Sequence, residues 1–204
     1  MISVIAFDYG GVIEISEKNI VQEIVRYLGI QKEEWSNAYF SLNNLCNTGE
    51  HSWTQVMVIT AEKVGATPEQ ILNIENLLQL DTANKKLNLE LIEKIRSLKP
   101  KYKIALTSNY AASLRQKLID QGVVSLFDEI IISGEVGHQK PQPEIFNLLC
   151  ERMHIKTSEL VFIDDTQRSL EGADKIGYTP ILYTNNQKLF EDLSKILDRT
   201  YAQR

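Results

Sequence analysis

The chain has 204 residues, 43% of them hydrophobic and 24% charged, which is ordinary usage for a folded globular protein and unlike disorder, collagen or coiled coil. Lys and Arg total 22 against 27 Asp and Glu, a formal charge of −5, and no basic stripe interleaves with aromatics, so nucleic acid is not an expected partner. Cys46 and Cys150 lie in no CxxC pair and at no metal-ligand spacing from a His, which excludes a disulfide framework or zinc site and fits a reducing, cytoplasmic setting.

Ile2-Ser-Val-Ile-Ala-Phe7 is a short β-branched run closed by Asp8-Tyr9-Gly10-Gly11, the pattern of a buried strand ending in a turn. It carries no basic n-region, and no apolar run in the chain reaches the roughly 20 residues that span a bilayer, so neither secretion nor a membrane is expected. From Glu17 to Leu80 the pattern changes to helical spacing. Ile20, Ile24, Tyr27 and Leu28, then Trp35, Tyr39 and Leu42, then Trp53, Val56 and Met57, then Ile71, Ile74 and Leu78 predict an insertion of about four helices. Because it follows the first strand directly, it is placed to act as a lid. Strand-like runs return at Lys103–Leu106, Glu129–Ile132, Leu160–Ile163 and Pro180–Tyr183. Between them lie helical stretches at Ala111–Gln121, Pro143–Met153 and Leu170–Ile176, with Leu89–Leu98 leading in. Strand alternating with helix predicts an α/β fold with right-handed crossovers and a parallel sheet. The expected division is a core of residues 1–14 and 86–204 and a helical cap of residues 15–85.

Ligands of an open parallel sheet gather at the carboxyl ends of its strands. Here those positions hold Asp8, Thr107-Ser108-Asn109 and Asp164-Asp165. If the strands bearing Asp8 and Asp164 are neighbours, three carboxylates converge, and each close pair repels by ~4 kcal/mol at an effective dielectric near 20. Such a cluster calls for a cation, and Mg²⁺ suits hard oxygen ligands shared with a substrate phosphate. Taken singly, Asp8 reads equally well as a turn cap and Asp164-Asp165 as a helix cap. Lys140, in Lys140-Pro141-Gln142-Pro143 before a helix, is by itself an ordinary solvated lysine. Beside a carboxylate cluster and a Ser/Thr strand end it becomes the charge balance for a phosphoryl group.

These four segments, in this order, resemble the motifs of the haloacid dehalogenase superfamily, and the resemblance covers nearly the whole chain. Phe7-Asp8-Tyr9-Gly10-Gly11-Val12-Ile13 resembles its first motif, in the FDxGGV branch, with Asp8 in the nucleophile position. Ala105-Leu106-Thr107-Ser108-Asn109 resembles the second, implying that Ser108 and Asn109 bind phosphate. Gly137-His138-Gln139-Lys140-Pro141-Gln142-Pro143-Glu144-Ile145-Phe146 is similar to the third and supplies Lys140. Val161-Phe162-Ile163-Asp164-Asp165, continuing to Gly172-Ala173 and Gly177, is similar to the fourth. The resemblance implies a Rossmann-like core with an inserted helical cap. It also implies Mg²⁺ held by Asp8, the Gly10 carbonyl, Asp164 and Asp165, and a phosphatase acting on a small phosphorylated metabolite as a monomer or homodimer. In that reading Asp8 attacks phosphorus to give an aspartyl-phosphate that water hydrolyses.

Gly10 departs from the pattern. Phosphatases of the superfamily usually carry there a second Asp that protonates the leaving group, and glycine offers a carbonyl but no proton. General acid/base catalysis contributes about 10²–10⁴ in rate, so its loss matters most for alkoxide leaving groups and least for acyl or aryl phosphates. Glu14, His51, His138 and Tyr9 are the nearest candidates to replace it. The alternative is a glycine required only by the backbone angle of the turn. Asn47-Thr48-Gly49-Glu50-His51 and Trp53 are candidate substrate contacts from the cap, although Trp53 reads first as core and His51 first as a surface residue. Three further readings stay open: a metal-free 2-haloacid dehalogenase-like hydrolase, a non-catalytic phosphate-binding or partner-binding module, and a phospho-accepting receiver domain. The last has its acidic pair in the wrong place and no insertion after the first strand.

Overall fold

The computed structural model describes residues 1–47 and 50–201. The chain forms two compact units, Met1–Ile15 with Leu87–Arg204, and Ser16–Lys86. In chain order, β1 (Val4–Phe7) and β2 (Glu14–Ile15) precede α1 (Ile20–Leu28), α2 (Lys32–Phe40), α3 (Asn43–Asn47), α4 (Trp53–Lys63) and α5 (Pro68–Asn84). Then come β3 (Lys86–Leu87), α6 (Leu89–Leu98), β4 (Lys103–Ser108), α7 (Leu114–Asp120), β5 (Glu129–Ile132) and α8 (Ser133–Val136). The chain continues through α9 (Pro143–Met153), β6 (Leu160–Asp164), α10 (Ala173–Ile176), β7 (Thr179–Leu182) and α11 (Asn186–Tyr201).

Among the described residues, the first unit holds a parallel five-stranded sheet in the order β5-β4-β1-β6-β7. This is the expected α/β, Rossmann-like core. Its strands are apolar on both faces because helices cover both faces, and alternate residues divide cleanly between the two sides. Ile5, Phe7, Ile104, Leu106, Ile130, Ile132, Val161 and Ile163 pack with Leu91, Ile95, Leu118, Leu189 and Leu193. Val4, Ala6, Ala105, Ile131, Leu160 and Phe162 pack with Ile145, Phe146, Leu149 and Tyr178. The crossover order puts β1 at the centre, paired Phe7↔Leu106 with β4 and Phe7↔Ile163 with β6. The next position on each of the three strands is therefore Asp8, Thr107 and Asp164.

Several boundaries differ from the sequence expectation. β4 runs on through Ser108 and β6 through Asp164, so both residues are the last of their strands rather than part of the following turn. The helix expected from Ala111 begins at Leu114. The chain before it is tied sideways, with Tyr110 O accepting from Gly134 N at 2.9 Å and from Ser133 Oγ at 3.2 Å. The stretch Leu170–Ile176 is broken at Gly172, whose φ of +75° ends one short 3₁₀ turn and admits α10. Pro180 falls in β7, an edge strand, where a missing N–H is tolerated. The helix α11, with Leu189, Leu193 and Leu197 at a spacing of four, was not among the expected elements.

The second unit has five helices among its described residues rather than four, the addition being the short α3. Ser52 and Gln55 form a capping box at the start of α4, and Thr67 and Gln70 another at α5, which has Pro68 at its first position. Ile24, Trp35, Met57, Ala61, Ile74 and Leu78 make its apolar core.

Candidate active site

The carboxyl edge of β1, β4 and β6 gathers the residues singled out by the sequence. Asp8 leaves β1 with its amide donating to Ile163 O at 2.8 Å. Asp8, Asp164 and Asp165 each bring a carboxylate oxygen within 4.8 Å of the others. Lys140 Nζ sits 2.8 Å from Asp8 Oδ1 and 2.6 Å from Asp164 Oδ2. Asp8, Ser108, Lys140 and Asp164 are all buried, while Asp165 reaches solvent.

Two devices fix Lys140. Asn109 accepts from Lys140 N at 2.7 Å and donates from Nδ2 to Lys140 O at 3.0 Å, so its side-chain amide clamps the peptide that carries the ammonium. The side chain expected to bind phosphate thus has both polar ends engaged by Lys140. The ammonium itself lies 5.2 Å over the ring of Phe162, in an aromatic cluster with Phe146 and Tyr178, where its charge is attracted to the ring face. Asp164 Oδ1 in turn accepts from Thr166 N at 2.8 Å, which closes the turn after β6.

The protonation balance follows from burial and charge. Burial alone would push Lys140 down, but Asp164 and Asp8 outweigh it and hold the ammonium charged, above its ordinary range. Burial pushes the Asp8 carboxyl up; Lys140 and the Ser108 hydroxyl pull it down, Asp164 pushes it up, and the net direction is upward. Asp165 is pushed up by desolvation where it packs on the Gly11 turn and by the charges of Asp8 and Asp164. Three carboxylates stand against one lysine at this edge, an excess of negative charge that, together with burial, is what pushes Asp8 and Asp165 up. Hard oxygen donors in charge excess are the donor set that Mg²⁺ takes, so the residues present fit that ion.

The loop after Asp8 decides what Gly10 means. A Cβ placed on Gly10 meets nothing within 4 Å, and its φ lies outside the left-handed region. The expectation that the turn requires glycine at this position does not hold. Gly11 is the constrained one, with φ +76° and a Cβ that would come within 2.2 Å of Asp165 Oδ2. Of the candidates to replace the missing acid, Tyr9 Oη donates at 2.8 Å to Glu14 Oε1. Glu14 is held by Lys117 Nζ at 2.8 Å. His138 is exposed in the turn before Lys140. His51 lies in the helical unit, where it lines a cavity of about 380 Å³ with Thr54, Gln55, Val58, Ile59, Glu75 and Gln79. In the same unit Asn47 is buried, Glu50 is exposed, and Trp53 packs on the helical core beneath Lys85 Nζ at 4.0 Å. Thr48 and Gly49 lie outside the described residues.

Sequence reasoning did not find Lys117 on α7 or Gln121 at its C-terminal cap, nor Ser133 and Gly134, which brace the end of β4. Ser133 Oγ accepts from Tyr110 N at 3.0 Å, and Gly134 approaches so closely that a Cβ there would lie 2.8 Å from Ala112 N and 2.9 Å from Tyr110 O. Both neighbours are backbone and cannot rotate away. Gly134→Ala should therefore cost about 1–3 kcal/mol, read as a lower midpoint in urea unfolding; an unchanged midpoint would mean that this contact does not brace the strand.

This edge, with a carboxylate at the end of the central strand, a buried lysine and an acidic pair on the neighbouring strand, defines a hydrolase of α/β type. The chain belongs to the haloacid dehalogenase-like hydrolases, whose family profile matches residues 2–177. It is 26% identical over 212 residues to the D-ribitol-5-phosphate phosphatase of Bacteroides thetaiotaomicron, covering 97% of this chain and 100% of that protein. It is 35% identical over 78 residues to the glyceraldehyde 3-phosphate phosphatase of Methanopyrus kandleri, a match spanning 38% of this chain but only 34% of that protein. Among solved structures, it resembles in fold a HAD family enzyme of Bacteroides thetaiotaomicron in complex with magnesium and inorganic phosphate. The TM-score is 0.58 at 22% identity, over 90% of this chain and 95% of the other. Among the described residues, no helix is long and apolar enough to cross a membrane, and both cysteines are buried and unpaired.

Proposed function

We propose that this chain is a Mg²⁺-dependent phosphatase of small phosphorylated metabolites that works through an aspartyl-phosphate on Asp8. The observation that carries the reading is the buried lysine set between Asp8 and Asp164, with Asp165 completing an acidic cluster in need of a cation. The relatives named as phosphatases support it. Asp8, the Gly10 carbonyl, Asp164 and Asp165 would hold Mg²⁺, which when bound draws electron density from the phosphoryl oxygens and offsets their charge.

The chain's own residues do the rest. An Asp8 oxygen forms a bond to phosphorus as the bond from phosphorus to the leaving oxygen breaks. Lys140 and Ser108 offer N–H and O–H donors to the phosphoryl oxygens, and Asn109 acts through the Lys140 peptide that it clamps. Water then attacks the same phosphorus, releasing inorganic phosphate and restoring the carboxylate. No side chain of the Asp8–Glu14 loop has a proton to give the leaving oxygen: Gly10 has none, Tyr9 is bonded to Glu14, and Glu14 is ion-paired to Lys117. The favoured substrates are accordingly those whose leaving oxygen needs little protonation, acyl and aryl phosphates before alkyl ones.

Attack at carbon with loss of halide is the competing chemistry, but it needs no cation and would set three close carboxylates against an anionic substrate. A panel of acyl, aryl and alkyl phosphates with Mg²⁺, with chelator, and with Asp8→Asn decides between them. Phosphate release that needs both Asp8 and Mg²⁺ is expected. Chloride release from 2-haloacids that survives chelation would overturn the reading in favour of a dehalogenase. Binding of phosphate or beryllofluoride at Asp8 without turnover of any substrate would overturn it in favour of a non-catalytic module.

A further inference from the structure

Glu14 is a buried carboxylate that the chemistry above does not use, only 7% exposed and six residues beyond the nucleophile. Its Oε2 accepts from Lys117 Nζ at 2.8 Å, and its Oε1 accepts from Tyr9 Oη at 2.8 Å and from Gln121 Nε2 at 3.0 Å. Burial pushes this carboxyl up, but Lys117, Tyr9 and Gln121 together outweigh it and keep Glu14 ionised. The backbone of the same stretch is closed as well: Ile13 N and Glu14 N both donate to Tyr9 O at 2.9 Å, and Gly11 N donates to Glu14 O at 2.8 Å. The loop that begins at Asp8 is thus knotted at its two ends by side chains and main chain together, and the knot is tied to α7.

The tie extends to the phosphate side. Lys117 Nζ stands 5.3 Å over the ring of Tyr9, and that ring meets Tyr110 edge-on at 6.1 Å, directly after Ser108 and Asn109. The Glu14–Lys117 ion pair is buried at its carboxylate and part-exposed at its ammonium; a pair of this kind adds little net stability, because desolvation and solvent screening offset its Coulomb energy, and what it fixes is one arrangement over others. Tyr9 is fully buried and Glu14 nearly so, and their polar atoms are engaged by each other, Lys117 and Gln121.

We propose that Glu14 is a positioning residue, which acts through Tyr9 and through its ion pair with Lys117 to hold the Asp8 carboxylate in line with phosphorus. The inference rests on the phosphatase reading for its consequence in rate. It predicts a loss in turnover without a matching loss in binding, since a misplacement of about 1 Å in a near-attack geometry costs up to about 10²-fold in rate.

The test uses Glu14→Gln, Lys117→Met and Lys117→Arg in the full chain, with p-nitrophenyl phosphate and Mg²⁺. Glu14→Gln and Lys117→Met should lower kcat by about 10–10²-fold, with KM and the inhibition constant of inorganic phosphate unchanged within about 3-fold. The two losses should be non-additive in the double variant, because both break one tie. Lys117→Arg, which keeps the charge, should recover most of the rate. A folded Lys117→Met protein with wild-type kcat would overturn the proposal, as would a loss in kcat that Lys117→Arg does not repair. Formation of the beryllofluoride adduct on Asp8, followed by fluorine NMR, reads positioning without turnover. A wild-type protein that forms the adduct yet hydrolyses nothing removes the phosphatase reading alone. Weaker adduct formation in Lys117→Met then still supports the positioning role, and equal formation overturns it.

Discussion

Replacing Lys140 by Met should destabilise the protein by about 3–5 kcal/mol, lowering its melting temperature by roughly 6–20 °C, and should reduce turnover by about 10²–10³-fold. Both effects have one origin. Asp8 and Asp164 are 8% and 1% exposed and share the Lys140 ammonium at 2.8 and 2.6 Å. Without it, two buried carboxylates face each other with Asp165 a third. Asp8, whose carboxyl burial and the Asp164 charge already push up, loses the lysine that held it down, and it moves further above the unfolded value. A group whose folded pKa is raised contributes its stability below the unfolded pKa and loses it as pH rises through the folded pKa. The variant should therefore be weakest near pH 8 and recover toward pH 5, the direction opposite to ordinary acid denaturation. Mg²⁺ should restore part of the deficit at pH 8, because the cation supplies the charge that the lysine no longer does. Thermal melts of Lys140→Met in chelator at pH 5 and pH 8, and again with Mg²⁺, give all three comparisons. A melting temperature within 2 °C of wild type at pH 8 in chelator would show that Lys140 does not hold the acidic cluster.

What was legible in the sequence was whatever depends on the end of a strand. Asp8, Ser108 and Asp164 each follow or close a short β-branched run, and a parallel sheet brings such ends together whatever the details of its helices, so the pairing of β1 with β4 and β6 placed them side by side. Lys140 was legible only in company with them, since a lysine before a helix has no address of its own. What was not legible depends on long-range side-chain choices. Nothing in the spacing says that Glu14 meets Lys117, 103 residues away, or that the Asn109 amide meets the Lys140 peptide, 31 residues away. The start of α7 differs from the spacing for the same reason: Ala111 and Ala112 favour helix, but Ser133 and Gly134 hold Tyr110 sideways and the helix begins only after Ser113. Gly10 and Gly11 were ambiguous as letters. Only their φ angles and the space around them separate a glycine the backbone needs from one it does not.

That separation makes Gly10→Asp the most informative substitution in the chain. The added Cβ meets no atom within 4 Å, and the backbone there asks for no left-handed conformation, so the variant should fold with a stability near wild type. Its carboxyl would stand two residues beyond Asp8, on the exposed side of the loop, where the wild-type loop has no proton to give. A well-placed general acid contributes about 10²–10⁴ in rate; one introduced without supporting hydrogen bonds should deliver the lower part of that range, about 10–10²-fold. The gain should depend on the leaving group. Alkyl phosphates, whose alkoxide must be protonated as it departs, should be hydrolysed faster, whereas acyl and aryl phosphates should change by less than about 3-fold because they leave without help. In a series of phosphomonoesters, kcat/KM should fall steeply with leaving-group pKa in the wild type and more gently in the variant. The acid must carry its proton to act, so the advantage on alkyl substrates should shrink as pH rises. Gly11→Asp is the matched control: its φ of +76° and the Asp165 oxygen 2.2 Å from its Cβ forbid the side chain, and it should lose both stability and activity. If Gly10→Asp folds and the slope against leaving-group pKa does not change, the proton in the wild type comes from another group, and the preference for weakly basic leaving oxygens has no basis in Gly10.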